Sequence, residues 1–319
     1  MILVLWLLAF GAGVALIVWG AEAFAEHLGR ASVQLGVSSF ALALLLAGAE
    51  PEELATSVVA SLRGSPGIAL GDVVGANVVI CLVALGVGAW LTPLPFRAAV
   101  MRYALLGIPL GAIAAWFVWD GKVGRAEGAI LVNLYVVYVG AIWWAERRPP
   151  ALGEVGELAE AREAAGSGKP ARLGRDLALV LAGVAAMAAG ATLLVEAVQR
   201  ISGVEATQTR LGLTLVGFAT GFELVVLAWS AARRGISEAV VAGVVGSFAY
   251  NVTMTLGAGA LARPLVLADA TMLHVPVLLM IGSLALVVLL AIRHRRLARA
   301  ESVILLAAYP AYIALVLFG

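Results

Sequence analysis

Ten apolar runs, each long enough to cross a bilayer, constrain this chain more than any other feature. They fall at about 3–23, 36–62, 67–91, 99–119 and 126–145, then at about 177–197, 207–232, 237–261, 271–292 and 302–318. A spanning helix needs roughly 20 apolar residues, because it rises about 1.5 Å per residue through a hydrocarbon core about 30 Å thick. No water satisfies the backbone at that depth, so each run is expected to close its own hydrogen bonds as a helix. Of the 319 residues, 62% are hydrophobic and only 13% charged, too little polar surface for a soluble protein of this size. The stretch Met1–Gly20 lacks a basic leading region and reads as a retained first helix rather than a signal peptide. The expected fold class is an all-α polytopic membrane protein.

The two sets of five runs are related to each other. At an offset of 171, Leu42, Leu44, Glu52, Ala60, Arg63 and Gly64 meet Leu213, Leu215, Glu223, Ala231, Arg234 and Gly235. Pro93-Leu94 likewise meets Pro264-Leu265, and at an offset of 170 Glu26 and Arg30 meet Glu196 and Arg200. Matches of Ala and Leu recur by chance in membrane chains; the paired Glu, Arg-Gly and Pro matches do not, and they indicate an internal duplication. The organisation is therefore a five-helix repeat over 1–145, a linker over 146–175 with Pro149-Pro150 and a Gly-Ser-Gly turn, and a second repeat over 176–319. An odd number of spans per repeat inverts one half relative to the other. Fifteen of the 21 Lys and Arg fall in one set of alternate loops, which includes the linker. By the positive-inside rule that set faces the cytoplasm of a cell (inner) membrane, and both termini lie outside.

Glu50, Glu52 and Glu53 stand between two uncharged stretches, Phe40–Ala47 and Leu54–Leu62. A charge at the bilayer centre costs roughly 2.5–3.5 kcal/mol, so three acids at one level are expected to line a polar cavity. Pro51 removes a backbone donor and disfavours helix at Glu50, so the helix is expected to break there. Broken helices with acids at the break are how transporters build a cation site near the midplane, and inversion would bring Glu52 opposite Glu223. Phosphate loops, nucleophile elbows and zinc-protease motifs are not evident, which argues against an ATPase or a common hydrolase. The lone Cys81 forms no intrachain disulfide, and a net charge of +1 suggests no nucleic-acid partner.

These segments resemble the alpha repeats of the sodium/calcium exchanger family, part of the calcium/cation antiporter superfamily. That family carries Gly-Thr-Ser-x-Pro-Glu in the second helix of each half and Gly-Ser-Asn-x-x-Asn or Asp in the third. Here the first repeat reads Gly48-Ala49-Glu50-Pro51-Glu52-Glu53 and Gly75-Ala76-Asn77, and the second reads Ala219-Thr220-Gly221-Phe222-Glu223 and Gly246-Ser247-Phe248-Ala249-Tyr250-Asn251. The resemblance implies ten helices in two inverted repeats, with cations and the lipid bilayer as partners and no cofactor. It also implies antiport of a divalent cation, Ca2+ before others, against Na+ or H+. The gate it implies is movement of the first helix of each half.

Carried over by position, the resemblance puts the family glutamate at Glu53, whereas the internal repeat pairs Glu52 with Glu223; both remain candidates. Ser247 and Asn251 match the family serine and acid/amide, and Thr220 falls near a hydroxyl position. Glu50, Asn77 and Asp72 complete the candidate cation ligands. Ala49, Ala76 and Ile80 stand where the family has neutral ligands, and Glu50 where it has a serine. A hard divalent cation accepts carboxylates in their place. Carboxylates packed together compete for protons, which favours proton coupling. Proton-coupled exchange of another metal, and a channel-like or non-transporting protein of the same fold, are the alternative readings.

Overall fold

The computed structural model describes residues 2–35, 50–146, 173–234 and 237–318. The first half runs α1 (Ile2–Gln34), α2 (Pro51–Leu62), α3 (Pro66–Val79), a π turn at Ile80–Ala84, α4 (Leu85–Leu91), α5 (Ala98–Val118) and α6 (Arg125–Glu146). The second runs α7 (Leu173–Ile201), α8 (Glu205–Leu211), a π turn at Gly212–Val216 and α9 (Gly217–Arg234). It continues through α10 (Ser237–Tyr250), a π turn at Asn251–Thr255, α11 (Leu256–Ala262), α12 (Thr271–Ile292) and α13 (Arg299–Phe318). Among the described residues nine helices, counted through their π turns, are long and apolar enough to cross a membrane. The N-terminal part of the second expected run, 36–49, and linker residues 147–172 lie outside the described residues.

Two helices outrun the apolar stretches that marked them: α1 has 33 residues and α7 has 29. Hydropathy stops at the first charges, but the helix does not. Near that end of the pair His27 Nδ1 lies 2.9 Å from Asp176 Oδ1, and Gln34 Nε2 donates to Asp176 Oδ2 at 2.8 Å. Polar side chains thus hold together the ends of two helices that pack along their length.

Short ribbons report the inversion. β1 (Leu94–Pro95) pairs antiparallel with β4 (Arg296–Leu297), and β2 (Lys122–Val123) with β3 (Leu265–Val266). The spanning helix α5 separates β1 from β2, so the two ribbons lie on opposite faces. β1 follows α4 and β3 follows α11, segments related by the duplication through Pro93-Leu94 and Pro264-Leu265, yet they lie in different ribbons. The halves are therefore inverted, and the ribbons are each other's symmetry mates.

Reciprocal glycine contacts mark where the halves cross. A Cβ on Gly13 would lie 2.8 Å from the Gly190 carbonyl oxygen, and one on Gly20 would lie 2.7 Å from that of Gly183. The converse contacts, from Gly190 to Gly13 and from Gly183 to Gly20, are both 2.6 Å. Small residues let membrane helices approach this closely. The third spanning helix of each half, α3–α4 and α10–α11, is almost wholly enclosed, whereas α1 and α13 are largely exposed. Tyr312 on α13 donates its hydroxyl to the Leu213 carbonyl at 3.0 Å, tying the periphery to the π turn at the centre. Removing that hydroxyl leaves a buried carbonyl less satisfied. Tyr312→Phe should cost about 1 kcal/mol and lower the melting temperature in detergent by about 2 °C, read by intrinsic fluorescence.

Candidate functional site

Pro51 occupies the first turn of α2, where its missing N–H is harmless, and Glu52 and Glu53 follow it there. The positive end of the helix dipole favours carboxylates at this position. Glu50 immediately precedes the helix with non-helical backbone (φ −113°, ψ 81°). The helix thus begins at Pro51, as the proline leads one to expect, and the segment preceding Glu50 lies outside the described residues. In the second half a π turn at Gly212–Val216 interrupts the helix upstream of Glu223. Another π turn begins at Asn251 itself. Such turns take carbonyls out of the regular helical ladder and are frequent at functional sites.

Three acids at the start of α2 are packed away from solvent: Glu50 is 6% exposed, Glu52 1% and Glu53 0%. Glu50 and Glu52 are electrostatic neighbours of Glu223, and Glu53 of Glu52, Glu223 and Asp72. The Ser247 hydroxyl bonds to Glu50 Oε1, joining α10 to the start of α2. Asn251 lies beside Glu53 and accepts the Thr255 hydroxyl at Oδ1, 3.2 Å away. Thr220 donates to Asp72 Oδ1 at 2.8 Å, linking α9 to α3. Asn77 is buried but points its amide toward α12, where Nδ2 lies 3.7 Å from Met280 Sδ.

The structure therefore gathers Glu50, Glu52, Glu53, Glu223, Ser247 and Asn251 into one group, with Asp72 and Thr220 on its flank. Both Glu52 and Glu53 belong to it, because residues two and three of a helix's first turn project into the same crowded junction. Asn77 directs its Nδ2 to the side of α3 that meets α12, and its Oδ1 is buried and unpaired as well.

Many of these polar atoms have no hydrogen-bond partner. Glu52 Oε1, both oxygens of Glu53, Asp72 Oδ2, Glu223 Oε2 and Asn251 Nδ2 are buried and unpaired. Each such atom typically costs about 1–3 kcal/mol, so a group of them calls for an explanation. Among the described residues, no three His, Cys, Asp or Glu side chains converge as a ready-made metal cage.

Two neighbours of this group carried no signal in the motifs. Tyr250 is 5% exposed and packs edge-on against Tyr135, with ring centroids 5.2 Å apart. It lies within electrostatic reach of Glu50, Glu52 and Glu53. Glu22 on α1 lies within reach of Glu223. A carboxylate at the end of the first apolar run was the only sequence clue to Glu22.

Two inverted halves that cross over a buried acidic group define a membrane-embedded ion transporter. A sequence profile of the sodium/calcium exchanger protein family matches residues 5–144 and 176–318. The chain belongs to that family, whose members are antiporters rather than catalytic enzymes. It is 26% identical over 308 residues to the putative antiporter CaxA of Alkalimonas amylolytica, covering 94% of this chain and 95% of that protein. It is 24% identical over 346 residues to the sodium/calcium exchanger MaX1 of Methanosarcina acetivorans, covering 96% and 97% respectively. Its fold matches a solved structure of the sodium–calcium exchanger NCX_Mj with a TM-score of 0.62 and 24% identity, over 98% of this chain and 99% of the other.

Proposed function

We propose that this protein exchanges Ca2+ against Na+ or H+ by alternating access, at the carboxylate group between its inverted halves. The observation that carries the reading is the set of unpaired carboxylate oxygens from α2, α3 and α9. Glu223, Glu52 and Glu53 hold the divalent ion, and Glu50, Asp72, Ser247, Asn251, Thr220 and Asn77 supply further oxygens. The names of the relatives, which include a sodium/calcium exchanger, support calcium as cargo.

A single divalent ion neutralises two of the five carboxylates, Glu50, Glu52, Glu53, Asp72 and Glu223. The surplus must be met by other cations, and the missing neutral ligands at Ala49, Ala76 and Ile80 favour protons for that role. Exchange follows because the same oxygens cannot hold both loads. The glycine-lined α1–α7 pair is the moving unit of the gate, since backbone contact at both crossings couples the two helices. The ribbons support the orientation read from charge. β1–β4 joins the loops of Arg97 and of Arg293–Arg296, both in the basic set, while β2–β3 joins those of Lys122 and Arg263, both in the sparse set. The linker side is then cytoplasmic.

Calcium-45 uptake into proteoliposomes, driven in parallel by a sodium gradient and by a pH gradient, tests this. Accumulation is expected with the pH gradient. Lowering pH on the calcium side should slow uptake, because protons occupy the oxygens that calcium needs. Sodium-driven accumulation alone would reassign the coupling ion. Uptake that merely equilibrates, needing no counter-ion, would replace the antiporter with a channel.

A further inference from the structure

The reciprocal contacts Gly13–Gly190 and Gly20–Gly183 place the centre of the α1–α7 crossing between residues 16 and 17 of α1. In an inverted-repeat transporter that crossing lies at the bilayer midplane. Glu22 is five to six residues farther along, about 8 Å from the midplane at about 1.5 Å per residue, well inside the hydrocarbon layer. It is exposed, on the outward side of α1 that also bears Leu8 and Trp19. A carboxylate at that depth among acyl chains costs roughly 2.5–3.5 kcal/mol, so its surroundings must be wet or paired.

What Glu22 meets there is α9. The two helices pack together, and Glu223 is its charged neighbour. Glu223 is only half-buried, and its Oε2 is shielded from solvent without a hydrogen-bond partner. One turn farther out Glu26 occupies the same side of α1, bridged to Arg30 at 2.6 Å. Acids at positions 22 and 26 thus line one side of the helix from the level of Glu223 outward. The duplicated helix α7 repeats the outer rungs as Glu196 and Arg200, also ion-paired, at 3.6 Å. At the inner rung it has Thr192 instead of an acid. The extra carboxylate therefore has no counterpart in the second half.

We propose that Glu22 is a cation-binding residue of the access route, passing the divalent ion to Glu223 where α1 meets α9, from the face at the C-terminal end of α1. This rests on Glu223 being a cargo ligand. It adds that the two faces of the exchanger differ in apparent affinity, because only one route has an acid at the inner rung. With Glu26 already bridged to Arg30, Glu22 is, among the described residues, the uncompensated charge on this side of α1; such a charge raises the local concentration of counter-ions, and removing it forfeits that gain.

The test measures the Ca2+ concentration for half-maximal exchange separately from each face of oriented proteoliposomes. Glu22→Gln should raise it about tenfold from the face at the C-terminal end of α1 and leave the other face unchanged, with maximal rate within about twofold. Glu22→Asp should behave as the original protein, and Thr192→Val should alter neither face. Values unchanged on both faces, or raised equally on both, would overturn the proposal. Should Glu22→Gln fail to fold, Glu22→Cys decides. Labelling by a membrane-impermeant thiol reagent from that face alone, slowed by Ca2+, supports the route; labelling from neither face, or without calcium protection, sinks it. Glu223→Gln separates the two levels of the argument. Normal transport by that variant removes the proposed site itself, whereas a dead Glu223→Gln beside an unaltered Glu22→Gln removes only the route.

Discussion

Glu223→Gln is expected to reduce gradient-driven calcium-45 uptake to background while the protein still inserts and folds. Glutamine keeps the volume and one carbonyl oxygen, so packing between α9 and α2 survives. What is lost is the charge that faces Glu52 across the axis relating the halves. Divalent cations bind through charged oxygens, and a ligand's loss should exceed the roughly 100-fold that changes to its supporting groups cost. Because the unpaired Oε2 atom gains a neutral amide, the variant should be no less stable than the original. Uptake at the original rate, with expression unchanged, would remove Glu223 from the site.

The second large effect concerns the fold. Gly75 on α3 and Gly217 on α9 pack backbone to backbone at the π turn of the second half. A Cβ at Gly217 would lie 2.5 Å from the Ala76 nitrogen, and one at Gly75 would overlap the Leu213 carbonyl oxygen. No rotamer relieves a clash with backbone, so the helices themselves must part. Gly75→Leu should cost more than the about 1–3 kcal/mol of ordinary overpacking and eliminate the monodisperse peak on size-exclusion chromatography. Gly140→Leu is the control, since nothing lies within 4 Å of a Cβ there. It should elute as the original protein does. Equal behaviour of the two variants would mean that α3 and α9 do not need this approach.

Much of this was legible from residue order. Apolar runs specify spanning helices because lipid leaves the backbone no other partner. Paired matches such as Arg63-Gly64 with Arg234-Gly235 reveal a duplication, and five spans per copy make it inverted. Pro51 among acids specifies a helix start with charge at it. Each of these is a local property, or a count.

Other features depended on residues far apart in the chain. Choosing between Glu52 and Glu53 from motif alignment or from the repeat gave two answers, and the packed junction includes both. Asn77 matched a motif yet turns its Nδ2 toward Met280, because which side of α3 meets α12 is decided by packing. The neighbourhood of Glu22 and Glu223, 201 positions apart, exists only once α1 lies against α9. Sequence alone determined which segments enter the membrane and that acids must be sheltered there, since transfer from water acts on each segment separately. Only tertiary structure decided which of those acids lie side by side, because that depends on the rotation and crossing of helices set by glycine contacts between distant segments.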